Sequence, residues 1–203
     1  MADLTLQQIV LRVFALLLIV GLHGAAVAAT ACALGDQGPR YDGRLKLSPL
    51  AHLDLLGFAS GVLFTIGWIK PVVIDPKALR IGRLGLVIIV VVAAVSILAL
   101  ALALQMLRPL LLPFLSDTPS TLTFGLIETI GQLGIWFTLI NLFPVPPLTG
   151  GHLLTAFIPP AGEFMRRYHI YFALGLTALA ATGIITQVLE PVYRLVAEII
   201  LRS

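Results

Sequence analysis

Residues 84–107 read LGLVIIVVVAAVSILALALALQML, 24 residues without a charge. A helix rises about 1.5 Å per residue, and about 20 apolar residues cross the roughly 30 Å hydrocarbon core of a bilayer. This stretch is therefore long and apolar enough to span a membrane, and its Val, Ile, Leu and Ala content predicts a structural helix. The rest of the chain agrees with it. Of 203 residues, 59% are hydrophobic and 11% are charged, and the mean hydropathy is +1.03. Soluble domains carry about 25% charged residues, so a soluble globular fold and intrinsic disorder are both excluded. One cysteine, Cys32, rules out a disulfide scaffold and a multi-cysteine metal site within the chain. The net charge of +3 comes from thirteen Lys and Arg spread over connecting segments. They read as membrane flanks, and no nucleic-acid partner is expected.

Working outward, four more apolar runs appear. Residues 13–35 form the first, bounded by Arg12 and Asp36 and interrupted by His23. Ala31-Cys32-Ala33 imitates a signal-peptide cleavage site, but the run is too long and its basic start too weak for one. Residues 55–69 read as a short or tilted helix. A span from residue 121 passes Glu128 and must end near Phe143, because Pro144, Pro146 and Pro147 deny the backbone its helical hydrogen bonds. Glu128 either reaches an internal cavity or sits near the interface. A fifth span covers 168–189. After Pro191, Val192, Leu195, Val196, Ile199 and Ile200 fall on one helical face opposite Arg194, Glu198 and Arg202, a pattern for an amphipathic helix lying at the interface.

Between the first two spans, Leu45 and Leu47 alternate with Arg44, Lys46 and Ser48, which predicts a short strand able to pair with 71–74 over the membrane surface. The expected fold is an all-α polytopic membrane protein of about five transmembrane helices, with this β segment and a C-terminal amphipathic helix. Residues 1–203 form one transmembrane domain in this reading. Lys and Arg divide seven to six between the two sides of a five-span topology, too evenly to set orientation. No internal repeat supports a transporter or channel.

Three features could carry chemistry. The first is NLFPVPPLTGG at 141–151, a proline-broken turn in an apolar setting. Irregular backbone at membrane depth is tolerated where it lines a protein cavity; an ordinary interfacial loop has the same composition. The second is His23, ionisable inside a span and so a functional candidate, although a neutral imidazole bonded to a neighbouring helix is the blander reading. The third is GRLKLSPLAHLD at 43–54, followed by GWIKPV at 67–72. Small residues around His23, namely Gly21, Gly24, Ala25, Ala26, Ala28, Ala29 and Ala31, permit close helix contact within the molecule or with a partner helix.

Taken in order, these segments resemble the site-2 protease family of intramembrane zinc metalloproteases (M50 type), in particular its compact bacterial branch. Where that branch reads H-E-x-x-H-A-x-x-A-x-x-L-G-D, residues 23–36 read HGAAVAATACALGD. Where it reads G-R-L-T-L-N-P-L-x-H-I-D, residues 43–54 read GRLKLSPLAHLD. F-G-W-A-K-P-V-x-x-N-P is matched by IGWIKPVVIDP at 66–76, and N-L-x-P-I-P-P-L-D-G by NLFPVPPLTG at 141–150. The resemblance covers nearly the whole chain. It implies a bacterial inner-membrane protein whose remnant site contains His23, Asn141, Pro144, Thr149 and Gly150.

The departures bear on function. In the family, two histidines one turn apart and the aspartate of the proline turn bind zinc, and the glutamate beside the first histidine is the general base. Here Gly24 stands at the base position, Val27 at the second histidine and Thr149 at the aspartate. The family's G-P-x-x-N segment is replaced by apolar residues around 93–97. A catalytic zinc takes three protein ligands and an open position, so the resemblance implies that zinc and peptidase activity are lost. The expected protein is a pseudoprotease that acts as a binding, scaffold or accessory subunit through other integral membrane proteins or transmembrane helices. The competing reading is a zinc endopeptidase with an altered site built from His23 and His152, the latter about one turn beyond Thr149. Cys32 lies roughly 13 Å along the helix from His23, too far to share an ion with it.

Overall fold

The computed structural model describes residues 4–114 and 117–201, and in these the chain is predominantly helical. Three long helices form the centre: α1 (Leu6–Leu34), α5 (Leu84–Leu111) and α6 (Asp117–Asn141). Between α1 and α5 lie three short helices, α2 (Gly38–Tyr41), α3 (Pro49–His52) and α4 (Leu55–Phe64). After α6 come α7 (Gly151–Phe157), α8 (Pro159–Ala181) and α9 (Ile184–Leu201). Helices α1, α5 and, over Thr121–Asn141, α6 are each long and apolar enough to cross a bilayer.

Local chemistry sets the ends of α1. The Thr5 hydroxyl accepts from the Gln8 N–H at 3.2 Å while the Gln8 side chain accepts from the Thr5 N–H at 3.0 Å, satisfying two donors that a helix start leaves open. At the other end Gly35 takes φ +123°, a conformation that L side chains rarely adopt. The Leu34 carbonyl then accepts from the Arg80 N–H at 2.8 Å.

Where the three helices meet, Leu16, Ile19 and Val27 of α1 pack with Leu86, Ile89, Ala93 and Ile97 of α5 and with Ile130, Leu133 and Phe137 of α6. Their outward faces are apolar on α1 and α5. Val10, Phe14 and Leu18 recur at every fourth position of α1, and Ile88, Val91, Val92 and Val95 make a stripe on α5, all exposed. Faces of this composition suit lipid chains. Arg12 of α1 turns inward, and its guanidinium donates to the Val62 carbonyl at 2.8 Å, capping the C-terminal turn of α4.

Several expectations from the sequence are corrected. Among the described residues three helices are long and apolar enough to span, or four if the bent pair made by α8 and α9 counts as one, against the expectation of about five. The stretch 168–189 is not one helix: α8 ends at Ala181, and the part from Arg167 makes an angle of 75° with α9. Gly183 makes the turn because its φ of +74° is open to glycine. The amphipathic helix consequently starts at Ile184, and Pro191 lies inside it on an exposed position rather than at its start. Arg202, assigned to its polar face, lies outside the described residues. The run 55–69 is helical only to Phe64, since Thr65 reverses the chain in the left-handed region (φ 66°).

The short β segment does not form among the described residues. Its place is taken by α2, α3 and an isolated antiparallel bridge between Leu53 and Ile69, where the Lys70 N–H donates to the His52 carbonyl at 2.8 Å. Prolines explain this. Pro39 and Pro49 sit in the first turns of α2 and α3, where a missing N–H costs nothing, and Pro71 removes the donor that would extend the ladder.

Candidate functional site

The proline turn leaves the end of α6 and returns to the bundle within a few residues. Gly150 closes it: its N–H reaches the Asn141 carbonyl at 2.6 Å, and an added Cβ would overlap the backbone of Leu142 and Phe143. The Pro146–Pro147 peptide is cis. Within the turn Pro146, Pro147, Leu148 and Thr149 are buried, while Pro144 stays exposed on the rim. Of the five remnant-site residues, His23, Asn141, Thr149 and Gly150 are thus brought together, and Pro144 is not.

Asn141 positions the group. Its amide nitrogen donates to the Gly67 carbonyl at 2.9 Å and to the Phe137 carbonyl at 2.8 Å, tying α6 to the loop after α4. Its oxygen therefore points the other way, towards the Thr149 N–H at 3.4 Å and hydroxyl at 3.5 Å. The Thr149 hydroxyl lies 2.9 Å from His23 Nε2. Two tautomers satisfy this contact. Either the hydroxyl donates to a nitrogen lone pair, or Nε2–H donates to the hydroxyl oxygen and frees its proton for Asn141. Phe137 meets the His23 ring edge-on, with centroids 5.1 Å apart. His23 is 1% exposed, so the imidazole is held by protein on every side.

Next to it the space at Gly24 is taken. A Cβ built on Gly24 would overlap the imidazole of His52, lying 2.8 Å from that residue's own Cβ and closer still to the ring. His52 is fully buried, and its Nε2 lies 2.9 Å from the Lys46 carbonyl. A carbonyl only accepts, so Nε2 carries the proton in this contact. Nδ1, facing Gly24, has no hydrogen-bond partner among the described residues. Burial pushes the His52 pKa below the ordinary 6.5; the Lys46 carbonyl opposes that shift and the Arg44 charge adds to it. In the sequence His52 is one residue of the 43–54 motif, and nothing local to it signals a role. Its place against Gly24 depends on a contact between distant segments that no local signal encodes.

A cavity of about 900 Å³ opens beside the group. One wall is the non-helical stretch 69–74, held by Arg44, which donates to the Ala51 carbonyl at 2.6 Å and reaches that of Pro71 at 3.5 Å. The other walls are the proline turn with Thr149, helix α7 with His152, and α8 with Glu163 and His169. Val27 forms part of the floor. His152 lines this cavity while His23 lies behind it, bonded to Thr149. Glu128 does not line the cavity; it is exposed on the outer side of α6.

These residues do not fit a catalytic zinc. The group offers one imidazole and a neutral hydroxyl, Val27 is apolar and 0% exposed, and His23 Nε2 is committed to Thr149. Among the described residues, no three His, Cys, Asp or Glu side chains gather closely enough to hold a metal. Gly24 leaves no carboxylate to take a proton, and His52 fills the space where one would stand.

Over 142 residues the chain is 27% identical to a Bacillus subtilis (strain 168) protein named "Putative zinc metalloprotease YwhC". The aligned region is 68% of this chain and spans 65% of that protein's length. No family model matches the chain, and no solved structure matches it. The similarity supports a metalloprotease-like relationship at the level of sequence.

Proposed function

We propose that this chain is a site-2-protease-like integral membrane pseudoprotease, related to the compact bacterial branch and resident in a bacterial inner membrane. In this reading it binds a segment of another membrane protein without cutting it, as a scaffold or accessory subunit. The observation that carries the reading is the 2.9 Å contact between His23 and Thr149. Two positions at which the family binds zinc are here bonded to each other, with Val27 packed at the third and His52 against the base position.

The cavity supports the binding half of the reading. Its walls are largely apolar, and the non-helical stretch 69–74 lines it together with Thr149 and His152. Such a surface suits an unwound or transmembrane client segment, which would gain main-chain hydrogen bonds without water competing for them.

Metal analysis of protein purified in mild detergent tests the proposal. We expect less than stoichiometric zinc, no change on His23→Ala, and no cleavage of membrane-embedded peptides. Stoichiometric zinc that disappears on mutating either His23 or His152 would overturn the pseudoprotease reading in favour of an altered-site peptidase.

A further inference from the structure

Helix α6 has an outward face of unusual polarity for a membrane span. Between residues 123 and 141 the exposed side chains are Glu128 and Gln132, one turn apart, and Gln132 Nε2 donates to Glu128 Oε1 at 3.1 Å. The corresponding faces of α1 and α5 carry Val, Leu, Phe and Ile. Glu128 lies about 10 Å along the helix from Thr121, where the apolar stretch long enough to span begins. Its two-methylene side chain is too short to carry a carboxylate that far to the headgroups, and a carboxylate facing lipid chains at this depth costs several kcal/mol.

Helix α9 flanks the same face. Tyr193 stacks on Trp136 of α6 with ring centroids 4.5 Å apart, and both Glu128 and Glu190 lie within electrostatic reach of Tyr193. Glu190 is paired with Arg194 at 2.9 Å. Glu128, Glu190 and Arg194 together leave one excess negative charge. An apolar helix would bury that carboxylate without compensation, and a second copy of the chain would add another.

We propose that the Glu128–Gln132 face of α6, bordered by the Glu190–Arg194 pair of α9, docks a transmembrane helix of a partner protein that presents a lysine or arginine at the depth of Glu128. The surface shares no residue with the cavity, so it stands or falls separately from binding there.

The test uses the full chain in liposomes with a synthetic leucine-rich transmembrane peptide carrying one lysine at that depth, and binding is read by fluorescence energy transfer. The control peptides replace that lysine with leucine or glutamate. Wild type should bind the lysine peptide about tenfold more tightly than the leucine peptide, a ratio that Glu128→Gln abolishes while keeping an amide able to meet Gln132. Glu128→Lys should reverse the preference towards the glutamate peptide, which a misfolded variant could not do. Equal binding of lysine and leucine peptides to wild type, or a lysine preference that survives Glu128→Gln, would overturn the proposal. Self-association of the wild type that is lost in Glu128→Gln would also overturn it, because a second copy would then be the occupant.

Discussion

At the C-terminal end of α6, Asn141 uses its amide nitrogen twice and turns its oxygen to Thr149, which meets His23. Earlier on the same helix, Glu128 and Gln132 bond to one another and otherwise face outward. The first group is enclosed, and its polar atoms serve to hold the turn, the loop after α4 and α1 in register. In the second, one hydrogen bond leaves a carboxylate whose charge nothing on α6 offsets. The contrast separates two uses of polarity in a membrane protein. Groups satisfied internally specify the fold, whereas groups left outward at membrane depth call for a partner.

Substitutions should move the two groups differently, and the largest effect is expected inside. Gly24→Glu, which puts a carboxylate where the resembled motif carries one, has to displace the His52 ring. It should cost more than about 3 kcal/mol in denaturant unfolding in detergent, and His52→Ala in the same chain should recover a large part. Stability unchanged by Gly24→Glu would show that the interior is open rather than filled. Asn141→Leu removes the donor to two carbonyls and the acceptor for Thr149; a loss of about 2–3 kcal/mol is expected in the same assay.

Thr149→Val, which keeps shape and deletes the hydroxyl, should cost about 1 kcal/mol, since polar contacts between helices in membranes are individually modest. Changing pH probes His52. Its folded pKa lies below 6.5, so the unfolded chain takes up the proton first. Its contribution to stability is complete above 6.5 and is lost as pH falls below it. Melting temperatures should therefore fall between pH 7 and 5, less steeply in His52→Gln. The smallest effect on folding belongs to the outer face: Glu128→Gln should shift stability by no more than about 0.5 kcal/mol. A large loss there would mean that Glu128 serves the fold, erasing the contrast.

Much of this was legible along the chain. The apolar runs located α1 and α5 because burial in a bilayer requires uninterrupted length, and the proline turn ended α6 close to Asn141. Motif resemblance singles out His23, Asn141, Thr149 and Gly150 along the chain, and the fold places these four next to one another. The break at Gly183 was not legible, because the residues around it are as apolar as those of a continuous helix, and only the backbone angle turns the chain. The strand pattern of Leu45 and Leu47 misled, because alternation records which side chains face inward and not whether prolines nearby leave a donor for a partner strand.

The sequence by itself determined a predominantly helical chain with runs long and apolar enough for a membrane, and that much follows from composition and spacing. That Gly24, Val27 and Thr149 stand where the resembled motifs carry glutamate, histidine and aspartate is what the resemblance adds, a statement about residue type alone. Tertiary structure alone decided that His23 is bonded to Thr149, that His52 closes the space at Gly24, and that Glu128 faces away from the cavity. Each of these depends on which face of a helix meets which neighbour, a choice settled by packing among segments far apart in the chain.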